Sequence, residues 1–157
     1  MRFWDASALI PLCLREPRSE EMVTLAKADP GGASWWATPL ECASAFARAR
    51  REGRLGPSEE SRLRKRVDVV VATWTEVLPS VELRELAGTL LLRHPLRAAD
   101  SLQLAAALIW VDHRPSGQEF VCLDDRLREA ARGEGFRVVP AFGPSPEDEI
   151  QSRRAPP

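Results

Sequence analysis

The run Met1-Arg2-Phe3-Trp4-Asp5-Ala6-Ser7-Ala8-Leu9-Ile10-Pro11-Leu12-Cys13-Leu14 decides the reading of the fold. Arg2-Phe3-Trp4 reads as a short strand and Ser7 to about Leu14 as an apolar helix, with Pro11 close enough to its start for the missing N–H to be tolerated. One carboxylate, Asp5, therefore stands where a strand hands over to a helix. In an open α/β sheet, ligands sit outside the carboxyl ends of the strands, and Asp5 belongs to that edge. Capping of the helix by Asp5 or Ser7 explains the same residues equally well. What else arrives at that edge has to decide.

Working outward, strands and helices alternate. Ser19 opens a helix running to Ala28, before the Asp29-Pro30-Gly31-Gly32 turn and a strand expected at Ser34 to Ala37. Thr38-Pro39-Leu40-Glu41 has the form of a helix start: Thr as cap, Pro at the first helical position, Glu three residues after the cap. That helix runs to Glu52 and stops at Gly53. The next begins near Pro57-Ser58 and places Leu63, Val67, Val70, Val71 and Trp74 on one face, although Val69 to Val71 would also suit a strand. Thr75 to Leu78 is the third strand. Ser80 then opens a helix with Leu83, Leu86, Ala87, Leu90 and Leu91 on one side, closed by His94-Pro95. A helix starting between Arg97 and Ser101 carries Leu102, Ala105, Ala106, Ile109 and Trp110 as its stripe. Phe120 to Leu123 is a buried strand ending in Asp124-Asp125, Leu127, Ala130 and Ala131 mark a short helix, and Phe136 to Val139 is the last strand.

Parallel neighbours need crossovers, and the crossovers here are helical, so the pattern predicts an α/β fold. Its form is a three-layer α/β/α sandwich with a central parallel sheet of about five short strands. The domain is expected over residues 1–142. Residues 143–157, rich in Pro, Glu, Ser and Arg, cannot build a core and are expected to form a disordered tail.

The bulk properties narrow the function. A chain of 157 residues is one domain's worth, and its net charge of −1 exerts no global pull on nucleic acid or an anionic membrane, so any polyanion site must be local. Cys13, Cys42 and Cys122 are odd in number and set in apolar surroundings, which suits buried thiols in a reducing compartment better than a disulfide framework or a zinc site. No basic region followed by a long apolar run opens the chain, so a soluble, cytoplasmic protein without membrane attachment is expected.

In this layout Asp5 follows the first strand, Glu41 lies in the first turn after the second, and Asp124 follows the fourth. Asp100 sits at the start of a helix whose position the spacing does not fix. Each acid has a local alternative: Glu41 closing a box with Thr38, Asp100 capping with Gln103 at the third position, Asp124 capping the helix of Leu127. Gathered at one edge, however, several acids repel unless a cation is present. Oxygen ligands without His or Cys favour Mg²⁺ or Mn²⁺ over zinc.

The ordered set of segments resembles the PIN-domain ribonucleases, and within them is most similar to VapC-type toxins of bacterial toxin–antitoxin pairs. The matching pieces are Trp4-Asp5-Ala6-Ser7-Ala8-Leu9; Thr38-Pro39-Leu40-Glu41 with Ala45, Arg48 and Gly53; His94-Pro95-Leu96-Arg97-Ala98-Ala99-Asp100-Ser101-Leu102-Gln103-Leu104-Ala105; and Phe120-Val121-Cys122-Leu123-Asp124 with Leu127, Ala130, Ala131 and Gly135. They cover almost everything before the tail. The resemblance implies that Asp5, Glu41, Asp100 and Asp124 form a catalytic, metal-binding quartet for Mg²⁺ or Mn²⁺, with Ser7 supporting it. Cys122 departs from the pattern, which commonly has Thr or Ser there; the weaker thiol donor bears on the support for Asp124. Gln103 stands where His is frequent and receives no catalytic role, and Asp125 is read as surface charge.

The implied activity is metal-dependent hydrolysis of RNA phosphodiester bonds, leaving a 5′ phosphate and a 3′ hydroxyl, by the toxin of a type II toxin–antitoxin system. Implied partners are the RNA substrate, a small antitoxin whose carboxyl-terminal segment lies over the groove, and a second copy in a homodimer; the apolar faces of the third and fourth helices suit either that contact or the core. Arg48, Arg50, Arg51 and Arg54, with Arg62, Arg64, Lys65 and Arg66 beyond the turn, form the densest basic region; RNA or partner contact and a solvated face both account for it. Competing readings are a non-catalytic PIN-like binding or scaffold module and a phosphatase of the haloacid-dehalogenase kind. The latter lacks the second Asp two positions after Asp5.

Overall fold

The computed structural model describes residues 1–141, and the tail expected at 143–157 lies outside them. Twelve elements alternate along the chain: β1 (Arg2–Trp4), α1 (Ala6–Cys13), α2 (Ser19–Ala28), β2 (Gly32–Trp35), α3 (Thr38–Arg51), α4 (Pro57–Val71), β3 (Thr75–Val77), α5 (Val81–Arg93), α6 (Ala98–Trp110), β4 (Glu119–Val121), α7 (Asp125–Gly133) and β5 (Arg137–Val139). The strands form one sheet in the order β3-β2-β1-β4-β5, and every pairing is parallel. The α/β sandwich expected from the alternation is therefore the fold. The short strands are covered on both faces, as parallel sheets require.

Successive residues of a strand point to opposite faces, and β1 shows what each face packs against. Phe3 stacks on Phe120 of β4 with ring centroids 5.5 Å apart, in a core shared with α5, α6 and α7. Trp4 points the other way, onto Trp74 at 5.5 Å and into the layer formed by α1 and α2. A further core joins α1, α3 and α4 through Cys13, Cys42, Phe46, Leu63 and Val67. The apolar faces of α3 and α4, expected to serve a homodimer, are thus used within the chain.

The sheet grows from β1 in two directions, through β2 to β3 and through β4 to β5. In open parallel sheets the place where the strand order reverses, here between β1 and β4, is where a ligand crevice is expected at the carboxyl ends. Asp5 and Asp124 are the residues that follow these two helix-leading strand ends, as the caps of α1 and α7.

Several local expectations are corrected. The second strand begins at Gly32, two residues before the expected Ser34. Gly32 is a packing position: a Cβ there would lie 2.5 Å from the indole of Trp74. Pro11 lies inside α1, beyond its first turn. The Val69 to Val71 run is helical, its β propensity overridden by the packing of α4. On α6 burial extends nearly all round: Leu104 and Leu108 are core residues, whereas Leu102, Ile109 and Trp110 of the expected stripe are only partly buried. A helix seated between the sheet and α5 loses the polar face that periodicity relies on.

Candidate functional site at the carboxyl edge of the sheet

Asp5 is the N-cap of α1, in extended backbone conformation, and its side chain accepts from the Ser7 N–H at 2.9 Å. The cap is Asp5; Ser7, expected to share that role, does something else. Its hydroxyl donates to Asp5 Oδ2 and accepts from the Leu123 backbone N–H at 2.9 Å. Ser7 thereby ties the start of α1 to the segment leaving β4. Cys122 Sγ lies 3.6 Å from the same Oδ2 and 3.6 Å from the Asp124 carbonyl oxygen. The thiol thus touches both the Asp5 carboxylate and the Asp124 backbone, so the link to Asp124 expected at this position runs to its carbonyl oxygen. Asp5 is only 4% exposed, and burial raises its pKa against the opposing hydrogen bonds from Ser7, Cys122 and Ala6.

Glu41 comes from the first turn of α3, but Thr38 does not cap that helix. Ala37 is the N-cap without a side-chain bond, and Thr38 is already helical and fully buried. Glu41 is consequently free of the box that would have made it a local structural residue. Its pKa is pushed up to about 7, first by burial, then by the charge of Asp5, with Asp100 adding to the rise and Gln103 opposing it. Glu41 thus lies within the fields of two other candidate acids.

Asp100 is the third residue of α6, and its carboxylate reaches back to the Arg97 N–H at 3.3 Å. Asp124 caps α7 by accepting from the Leu127 N–H at 3.0 Å. Asp124 joins the group through Cys122, whose thiol pKa is raised by burial, by Asp5 and, more weakly, by Asp124. Asp5 and Asp124 are both helix caps, and Cys122 lies between them, its Sγ near Asp5 Oδ2 and the Asp124 carbonyl oxygen. Helix N-termini favour anionic side chains, and the fold uses that to place acids at the strand ends.

No known family profile matches the chain. No curated protein matches it either. Among solved structures it is similar to a toxin–antitoxin complex from Klebsiella pneumoniae, with a TM-score of 0.56 and 18% sequence identity over 79% of this chain and 87% of that one. The likeness is one of fold.

The donor chemistry suits a hard cation. Asp5, Glu41 and Asp100 offer only carboxylate oxygens, and burial disfavours the charged form of Asp5 and Glu41. Among the described residues, no group of three or more His, Cys, Asp or Glu side chains stands together so as to hold a metal ion.

The basic region divides. Arg50 pairs with Glu60 at 2.9 Å, Arg64 with the other oxygen of Glu60 at 2.6 Å, and Arg54 with Glu52 at 2.6 Å. Arg48 and Arg51 are exposed on the same helix. Two residues of the site had no assigned role in the sequence reading. Gln103, 1% exposed, places Nε2 3.4 Å from Glu41 Oε2 and 3.4 Å from Thr38 Oγ1. Arg128, fully buried, donates to the carbonyls of Cys122 and Pro140 and so braces the end of β4 from beneath. Both carry a signal: each is a polar side chain set among the apolar positions of its helix, Leu102-Gln103-Leu104 and Leu127-Arg128 with Ala131.

Proposed function

We propose that this chain is a divalent-metal-dependent ribonuclease of the PIN-domain, VapC-like kind, acting as the toxin of a toxin–antitoxin pair. The observation that carries the reading is the meeting of Asp5, Glu41 and Asp100 in one electrostatic environment at the carboxyl edge, with Glu41 raised to about 7 by burial and by the other two charges. Asp5 and Asp100 would hold Mg²⁺ or Mn²⁺, with Glu41 and Asp124 acting directly or through water. The bound cation supplies an activated water and neutralises charge developing on the phosphate. Ser7 and Cys122 fix Asp5 by concentrating their donors on Oδ2. Glu41 has the properties of a residue that exchanges protons near neutral pH.

The similar fold in a toxin–antitoxin complex supports a protein partner. Trp36, Leu40 and Val81 are 52%, 68% and 61% exposed, and an apolar hollow of about 450 Å³ is lined by Trp35, Trp36, Val81 and Leu102, with Ser80 and Arg84. An apolar antitoxin segment would cover these side chains. Among the described residues no helix is long and apolar enough to cross a membrane.

Expression of the wild type and of Asp100→Asn without a partner tests the reading. Growth arrest and new RNA ends bearing 5′ phosphates are expected from the wild type alone. Equal growth and identical RNA ends would overturn it in favour of a non-catalytic binding module.

A further inference from the structure

We infer that Gln103 is a positioning residue for Glu41, locking the first turn of α3 to α6 so that Glu41 keeps a fixed place relative to Asp100; this rests on the metal-site reading above. Residues three apart on a helix share a face. α3 presents Thr38 and Glu41 at that spacing, and α6 presents Asp100 and Gln103. The two pairs meet: Gln103 Nε2 lies 3.4 Å from both Thr38 Oγ1 and Glu41 Oε2, while Asp100 acts electrostatically on Glu41. A single amide thus spans two helices at the point where they deliver two acids.

The burial of this amide argues against simple space filling. Thr38 is fully buried and Gln103 is 1% exposed, and the neighbours of Gln103 along α6, Leu104 to Ala107, are fully buried and apolar. Gln103 Oε1 is buried without a hydrogen-bond partner among the described residues. An unsatisfied buried carbonyl is destabilising. An apolar side chain of similar length would avoid that cost. Turning the amide over would aim Oε1 at the Glu41 carboxylate, so the negative charge of Glu41 selects the orientation that faces Nε2 toward it. The amide is spent on holding an acid.

The test uses the whole purified chain, with Mn²⁺ alone as probe, followed by spectroscopic titration of bound ion alongside thermal melting. Gln103→Met keeps length and burial but removes the donor. It is expected to weaken Mn²⁺ binding about 10-fold, the usual effect of losing a residue that orients a ligand, while melting at the wild-type temperature or higher. Gln103→His, which restores an N–H donor, is expected to recover most of the affinity. Unchanged affinity in Gln103→Met, with wild-type binding intact, overturns the role of Gln103 and leaves the metal site standing. Absence of Mn²⁺ uptake by the wild type overturns the metal site and this inference together. Should Gln103→Met not fold, Thr38→Val removes the other anchor of the amide; it is expected to weaken Mn²⁺ binding in the same direction, and unchanged affinity there overturns the inference.

Discussion

Ser7 and Asp5 are joined twice on one carboxylate oxygen, through the Ser7 N–H at 2.9 Å and through the Ser7 hydroxyl, which at the same time accepts from the Leu123 N–H. The two hydrogen bonds accepted by Oδ2 make a helix cap into a fixed carboxylate. It also fastens the end of β1 to the end of β4, the two strands that bound the crevice.

Ser7→Ala therefore removes more than a surface hydroxyl. The Leu123 N–H loses its partner, and Asp5, only 4% exposed, loses a donor that favours its ionised form. A loss of about 1–3 kcal/mol in denaturant unfolding is expected, together with weaker divalent-ion binding. Unchanged stability and unchanged binding would separate Ser7 from the site.

The acids make stability depend on pH in a stated direction. Glu41 is raised from its ordinary 4.5 to about 7, and Asp5 is raised from 3.8. Between the unfolded and folded values the folded chain holds protons that the unfolded chain has released, so this contribution is present below pH 4.5 and lost as pH rises to about 7. On the order of 1–3 kcal/mol is involved. Glu41→Gln should flatten the slope across that window in thermal unfolding. Mn²⁺, which binds the ionised form, should stabilise the wild type more at about pH 8 than at about pH 5.5.

The thiols should be silent in the folded protein. Cys13, Cys42 and Cys122 are free and buried, and burial raises the pKa of each, with the Asp5 charge adding to the rise for Cys122. A thiol reagent at mildly alkaline pH should react with none of the three in the native chain and with all three after denaturation. Fast native reaction of Cys122 would show that the floor of the crevice is open.

Fold and site were legible to different depths. Strand and helix order followed from the alternation of Phe3-Trp4, Phe120-Val121 and the amphipathic helices, because a two-sided parallel sheet imposes that pattern. The Gly32 strand start was hidden, since the indole that excludes a Cβ there comes from Trp74, 42 positions away in the sequence. Asp5, Glu41 and Asp124 were placed by strand ends, a local property. Asp100 depended on where α6 packs, and Gln103 on a contact 62 residues away in the sequence. Dilution of the basic run by Glu60 was legible in the sequence, since Arg64 lies four residues from it on α4; only the Arg50–Glu60 pair, between α3 and α4, depended on packing.

That pairing gives an ordered expectation for RNA binding. Arg50 and Arg54 are paired with Glu60 and Glu52, whereas Arg48 and Arg51 of α3 are exposed and open to phosphate. Arg51→Ala should lower the slope of affinity against salt by about one unit, and Arg54→Ala should leave it nearly unchanged. Equal slopes in both variants would remove this face from RNA contact.

The most direct measurement is RNA cleavage by the purified chain in Mg²⁺ or Mn²⁺ and in chelator, for the wild type, Asp5→Asn and Asp100→Asn. The account predicts cleavage by the wild type only with the divalent ion, products ending in 5′ phosphate and 3′ hydroxyl, and background cleavage by both folded variants. Metal-dependent cleavage retained in full by Asp5→Asn, or no cleavage by the folded wild type under any divalent ion, would contradict it.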